Sequence, residues 1–275
     1  MRNNVRYAHA CQFAAGGMMP GELDDRTILV TGASKGIGAA IARACGAAGA
    51  RVIAHYGRDR AGAEAATAEI APERRLLLEA DLGDLRAVQA MWNEAAAWQG
   101  RVDVLVNNAA VMLWDGGFDE SEPQWDAVWE ETLAVNVLAP ARLMRGAVNH
   151  FLEMGGGAIV TISSWAAQRG VTNPATIAYG ASKAAVRSAT QSVARGYARQ
   201  NIQAYIVAPG VVRTRLSEQF AATQPGGEAA VAAGLASGEW VEPDELARLV
   251  VFLASGVAPQ LSGATLDVNG ASYIR

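Results

Sequence analysis

Tyr179 and Lys183 stand four positions apart in a segment opened by Asn173-Pro174. Such an opening is a cap residue followed by proline in a first helical turn. On a helix that spacing puts both side chains on one face, and the chemistry it suggests is proton transfer. A free tyrosine has a pKa of about 10 and is a poor base near neutrality unless a cation stabilises its phenolate. Lys183 can provide that charge. Taken alone, a tyrosine and a lysine on a helix would more often be a surface pair, so the case depends on what accompanies them.

A second stretch with chemical content is TGASKGIG, Thr31 to Gly38, which runs into the Ala-rich GAAIARACGAAGA. Gly32, Gly36 and Gly38 allow a sharp turn, close approach to a pyrophosphate, and tight packing of helix on strand. The helix N-terminus adds N–H groups and positive dipole. The spacing differs from G-x-G-x-x-G. It also matches G-x-S-x-G from Gly32 to Gly36, the nucleophile elbow of an α/β-hydrolase. That reading lacks a partner: the histidines are His9, His55 and His150, and almost half the chain follows the last one. The hydrolase order places its histidine after the acid.

Trp125, Trp129, Thr132 and Asn136 follow a helical stripe that directs Asn136 toward packed surroundings, where an amide needs partners. Pro140 lacks the N–H that would bond the Asn136 carbonyl. Its presence frees that acceptor for a water and bends the helix.

These residues have to be positioned by a repeating frame. Apolar runs bounded by Gly, Asp or Asn alternate with longer stretches of helical period, the signature of βα units and a parallel sheet. The strands read as 27–31, 51–56, 76–80, 102–107, 158–163, 202–207 and 265–268. Long Ala-rich helices are expected over 124–151 and 175–200. The fold class is therefore α/β, a Rossmann-like, doubly wound, seven-stranded parallel sheet with helices on both faces. One domain over 23–275 is expected, with an irregular Ala- and Gly-rich flap near 215–238 following a strand's carboxyl end. Residues 1–22 read as an N-terminal extension, disordered or loosely attached.

Composition narrows the class. Of 275 residues, 51% are apolar and 18% charged, enough for a core, and the net charge of −4 offers no nucleic-acid footprint. No apolar run approaches the roughly 20 residues of a membrane helix. Cys11 and Cys45 fit neither a disulfide framework nor a metal-ligand spacing, so no metal is expected and a reducing cytoplasm is the default.

From Thr31 onward the sequence resembles the short-chain dehydrogenase/reductase family. The resemblance is carried by TGASKGIG, Asp81-Leu82, NNAA from Asn107, ISS from Ile162, YGASK from Tyr179, PGVVRT from Pro209 and the ending SGATLDVNG. It implies a catalytic set of Asn136, Ser164, Tyr179 and Lys183, with a proton relay through Asn136, water, Lys183 and Tyr179. Ser164 would hydrogen-bond the substrate oxygen and Lys183 the nicotinamide ribose. Fifteen positions separate Ser164 from Tyr179, two or so more than the family commonly shows, which leaves Ser163 as an alternative. Asp81 would meet the adenine amine, Asn107 would stabilise the central sheet, and Thr214 would bind the carboxamide. The cofactor surface would further take in Gly32, Ser34, Lys35, Gly36, Ile37 and Gly38 of the turn, with Leu82, Asn108 and Ala109. Pro209, Gly210 and Val212 would complete it. Ala110 replaces the usual glycine.

NAD-binding members tend to carry an acid at the end of the second strand, where this chain has Tyr56-Gly57-Arg58. Arg58 and Lys35 instead suit a 2′-phosphate, which favours NADP(H) over NAD(H). The expected activity is hydride transfer between NADP(H) and a ketone, aldehyde or secondary alcohol. A 3-oxoacyl-thioester reductase and a non-catalytic NADP(H)-sensing protein are the alternatives. Trp114 and Trp165 follow strand ends and are candidates for an apolar pocket wall. Family resemblance implies a homotetramer or homodimer with a small-molecule substrate and no nucleic-acid or membrane partner.

Overall fold

A computed structural model of the chain describes residues 21–222 and 224–275. The expectation for residues 1–22 falls almost wholly outside them. Seven strands form one sheet: β1 (Thr27–Val30), β2 (Arg51–Tyr56), β3 (Arg75–Glu79), β4 (Val104–Asn107), β5 (Gly157–Ile162), β6 (Ile202–Pro209) and β7 (Thr265–Val268). Their order is β3-β2-β1-β4-β5-β6-β7, every pairing parallel. Runs such as Thr-Ile-Leu-Val in β1 are buried throughout because helices cover both faces of the sheet.

Helices α1 (Gly36–Ala47), α2 (Arg60–Ala66), α3 (Leu85–Ala97), α4 (Glu122–Leu133), α5 (Ala139–Met154), α6 (Ala166–Arg169) and α7 (Ile177–Tyr197) follow the strands. Beyond β6 come α8 (Arg215–Ala222), α9 (Gly227–Ala233) and α10 (Pro243–Ala254). One core packs Ile41 of α1 and Leu246 and Val250 of α10 against Ile28, Val104 and Val160 of the sheet. The other packs Trp92 of α3, Leu143 and Phe151 of α5 and Val186 of α7 against Leu29, Leu105 and Ile159. Strand order reverses between β1 and β4, so the crevice that such sheets offer to ligands opens at the carboxyl ends of these two strands.

Two expectations need correction. The region near 215–238 is not irregular: it holds α8 and α9, because alanine is the strongest helix former and outweighs the glycines between them. The helix expected over 124–151 is two helices joined by a π-helical turn, Ala134–Leu138. Pro140 cannot donate to the Asn136 carbonyl, and the backbone widens, with Ala139 N–H reaching back to Ala134 O.

Candidate active site

The turn after β1 is set by its glycines. Gly32 has φ +66°, a conformation costly for any residue with a Cβ. At Gly38 a Cβ would lie 2.1 Å from the Gly32 carbonyl oxygen and 2.5 Å from Asn108 Nδ2, so only glycine lets α1 begin this close to β1. Lys35 caps α1 in an extended conformation with no side-chain bond, and no acid stands in the first turn. The N–H groups and dipole of α1 are thereby left for an anion. Ile37 faces inward and packs on the core. Thr214, from the segment after β6, stands across Gly36, where an added Cβ would meet its Cγ2 at 3.2 Å.

The β4 end is tied to this turn through Thr31. Its Oγ1 accepts the N–H groups of Asn108 at 2.9 Å and Ala109 at 3.1 Å, while Asn108 Nδ2 donates to Thr31 O at 2.8 Å. The sheet tie expected of Asn107 is thus made by Asn108. Asn107 points its amide the other way: it is 5% exposed, and neither polar atom of the side chain has a partner among the described residues. With Asn136, Thr161 and Lys183 it lines a cavity with room for about one water.

Tyr179 and Lys183 both lie on α7, which follows a short 3₁₀ turn where Asn173 Oδ1 accepts Ala175 N–H at 3.0 Å. Lys183 is 5% exposed and donates through Nζ to the Ile162 carbonyl at 2.8 Å. Its Nζ lies 5.7 Å from the centre of the Tyr179 ring. Burial lowers the Lys183 pKa to about 8. Burial also raises that of Tyr179, against the opposing pull of a hydrogen bond with Ser164. The sequence suggested that Lys183 would lower the tyrosine. With the ammonium committed to Ile162, desolvation wins and Tyr179 is a phenol at neutral pH.

The two serines after β5 divide their work. Ser163 Oγ donates to the Lys183 carbonyl at 3.0 Å and fastens the strand end to α7. Ser164 is the one beside the Tyr179 hydroxyl, and its Oγ accepts Ala166 N–H at 3.1 Å. Asn136, 2% exposed, is clamped by the loop after β4: Oδ1 accepts Val111 N–H at 2.8 Å and Nδ2 donates to Val111 O at 2.8 Å. Nδ2 also donates to Ser182 Oγ at 3.0 Å, and Ser182 donates to the Tyr179 carbonyl at 2.7 Å. Ser182 is a link the sequence reading missed, although it lies between Tyr179 and Lys183.

Toward the edge of the crevice, Asp81 is exposed and its Oδ1 accepts Gly83 N–H at 2.8 Å, while Leu82 is buried. Tyr56 is buried, its hydroxyl donating to Glu79 at 3.4 Å and accepting from Arg60 at 3.3 Å. Arg58 and Lys35 are exposed, and Ser34 is half-buried against α2, where a Cβ on Gly62 would lie 2.5 Å from the Ser34 carbonyl. Pro209 O accepts Trp165 N–H at 2.9 Å, Gly210 lies against Asn269, and Val212 bridges to Val241. Trp114 stacks on Phe220 of α8 with centroids 5.9 Å apart. Among the described residues no histidine serves the Ser34 elbow: His55 bonds Gly32 and Ala80, and His150 accepts Val102 N–H at 3.1 Å near the opposite end of the sheet.

A family model described as enoyl-(acyl carrier protein) reductase matches residues 32–271. The chain belongs to the short-chain dehydrogenase/reductase family. D-threitol dehydrogenase of Mycolicibacterium smegmatis is 36% identical over 255 residues, 92% of this chain and 95% of that protein. 3β-Hydroxysteroid dehydrogenase 1 of Eggerthella lenta is 33% identical over 253 residues, 90% of this chain and 94% of that one. A crystal structure of 3-ketoacyl-(acyl-carrier-protein) reductase from Brucella melitensis complexed with NADH superposes with TM-score 0.82 at 30% identity, covering 92% of this chain and all (100%) of that one. The short-chain dehydrogenase/reductase described here is accordingly a nicotinamide-dependent oxidoreductase acting on CH–OH groups. Its turn fits such a cofactor on its own geometry, since α1 starts hard against the end of β1 with neither a side-chain cap nor an acid at its first N–H groups.

Proposed function

We propose that this protein reversibly reduces a ketone or aldehyde to an alcohol with NADP(H), using Ser164, Tyr179 and Lys183. When bound, the nicotinamide supplies the hydride. The observation that carries the reading is the half-buried Tyr179 phenol hydrogen-bonded to Ser164 at the carboxyl end of the sheet. A phenol held in the protonated state is matched to donating its proton to a carbonyl oxygen, and Ser164 orients that oxygen. Lys183 delivers charge beneath the ring and donors toward a ribose. Asn136 keeps α7 in register through Ser182 and Val111, and its carbonyl, released by Pro140, takes the water of a proton relay to Lys183.

The turn at Gly32, Ser34, Gly36, Ile37 and Gly38 would hold the diphosphate, with Asp81, Leu82, Asn108 and Ala109 on the adenosine side. Pro209, Gly210, Val212 and Thr214 would flank the nicotinamide. NADP(H) is favoured because Arg58 and Lys35 are exposed cations with no acidic partner among the described residues, and no acid ends β2. A structural relative, a candidate NAD(P)-dependent gluconate 5-dehydrogenase from Beutenbergia cavernae, carries NADP at low occupancy; it is 36% identical, with TM-score 0.82 over 92% of this chain and 99% of that one. Relatives named for polyols and steroids support a secondary alcohol as substrate. The Brucella reductase supports a 3-oxoacyl thioester as the second reading. We place the protein in the cytoplasm as a homodimer or homotetramer. A screen of polyols, cyclic alcohols, ketones and 3-oxoacyl thioesters with both cofactors tests the assignment; nucleotide binding without turnover of any of them would favour a cofactor-sensing protein instead.

A further inference from the structure

His55 lies on β2, 2% exposed, and belongs to neither the catalytic cluster nor any motif quoted above. Its ring spans the carboxyl ends of three neighbouring strands. On one side Nδ1 accepts the Gly32 N–H at 3.1 Å; on the other Nε2 meets the Ala80 carbonyl at 3.1 Å. A carbonyl only accepts and an N–H only donates, so both contacts exist together in a single state: neutral imidazole with Nδ1 bare and the proton on Nε2. The His55 carbonyl also accepts the Ala33 N–H at 2.8 Å, so side chain and backbone together fix the first two N–H groups of the glycine turn. Gly32 leads into that turn, and Ala80 immediately precedes Asp81-Leu82.

We propose that His55 is a positioning residue for the dinucleotide site, aligning the phosphate turn with the adenosine-side strand end only while its imidazole is neutral. The proposal rests on the reading of this turn as the nucleotide site. A proton on Nδ1 would confront the Gly32 N–H with a second donor, and the turn would have to move to relieve it. Burial lowers the His55 pKa, against the pull of the Ala80 carbonyl, which keeps the ring neutral in the physiological range. The charged groups on surrounding elements are Lys35 of the turn, Arg43 of α1, Arg58 and Asp59 after β2, Arg60 and Glu64 of α2, and Glu79 and Asp81 at the β3 end. All are exposed, and the buried Tyr56 hydroxyl is engaged with Glu79 and Arg60. Affinity for the dinucleotide therefore falls as pH drops through the His55 pKa, below the ordinary histidine value of about 6.5.

The test uses the full chain in two measurements. Nitrogen-15 NMR of the free protein should find His55 Nδ1 unprotonated and Nε2 protonated at neutral pH. NADH and NADPH affinities are then titrated by fluorescence between about pH 5 and 8 for wild type, His55→Asn and His55→Leu. NADH is included because a phosphate monoester such as the 2′-phosphate itself titrates near pH ~6. Asn Oδ1 can replace Nδ1 as acceptor, so His55→Asn should bind at neutral pH within about twofold of wild type and lose the acid dependence, whereas His55→Leu should bind about tenfold or more weakly. Turnover at saturating cofactor should be near wild type in both variants. The opposite tautomer, a His55 ring that gains its second proton with no loss of NADH affinity, or a leucine variant that binds as well as wild type would overturn the proposal. Failure of wild type to bind either dinucleotide at any pH would overturn the nucleotide-site reading and this proposal with it.

Discussion

Lys183 and Ile162 form a bond that shapes the chemistry of the site: the lysine Nζ donates to the β5 carbonyl at 2.8 Å while lying over the Tyr179 ring, 5.7 Å from its centre. The cation is held in place by strand backbone, and α7 is fastened again one step along by Ser163 on the Lys183 carbonyl. Tyr179 is consequently raised and Lys183 lowered, both by desolvation.

That arrangement makes folding stability depend on pH in a definite direction. Lys183 titrates near 8 in the folded chain and near its ordinary value of 10.5 when unfolded, so between these values the unfolded state binds more protons. Stability contributed by this group rises with pH across the window and is lowest below it, by up to about 3 kcal/mol. Replacing Lys183 with methionine should remove this slope, seen as urea unfolding free energies of wild type and variant that diverge at about pH 7 and converge by about pH 10. Parallel curves would show that the ammonium is not desolvated.

The Asn136 clamp predicts a different loss. Asn136→Leu leaves the Val111 N–H and carbonyl without their side-chain partner and removes the donor to Ser182 Oγ, which should destabilise the fold by about 2–4 kcal/mol and lower turnover through misplacement of α7. Urea midpoints and steady-state kinetics on the same preparation check both effects. Unchanged stability would mean that the loop after β4 is held by other contacts.

Much of this was legible in the sequence, and the parts that were not share a cause. The seven strands followed from apolar runs bounded by turn residues, because a covered parallel sheet demands them. The Tyr179 and Lys183 pair followed from local spacing, and Ser164 from the family resemblance, with Ser163 left as the alternative. The bond from Lys183 to Ile162, the partnerless Asn107 and the bridging role of His55 depend on which way a side chain turns at a strand end. Nothing in a run such as Arg-Val-Ile-Ala-His-Tyr distinguishes a histidine that merely packs from one that joins two neighbouring strand ends. The Trp114–Phe220 stack was hidden for the same reason, since Phe220 lies in a segment whose alanines and glycines gave no clear period.

Cofactor choice has its own test. Arg58→Ala should weaken NADPH binding about tenfold or more and leave NADH within about twofold, because only the former carries a 2′-phosphate. Equal losses, or a wild-type preference for NADH, would remove Arg58 and Lys35 from that role.

Assembly is the next expectation. Met144, Val148, Val193 and the part-exposed Tyr197 line a groove between α5 and α7. A two-fold pairing would make this patch self-complementary. Light scattering after size exclusion at micromolar protein should give the mass of a dimer or tetramer; a monomer with full activity would show that the pairing is dispensable.

The central claim is that the Tyr179 phenol donates the proton while Ser164 orients the substrate oxygen. Single-turnover oxidation of bound NADPH by a ketone substrate, followed in wild type and Tyr179→Phe, tests it most directly. The variant keeps the ring and loses the hydroxyl. Nucleotide affinity should stay within about threefold of wild type while the rate falls by about a thousandfold, the scale on which general acids contribute. A rate within about tenfold of wild type, with nucleotide fully bound, would contradict the account and move the proton donor elsewhere.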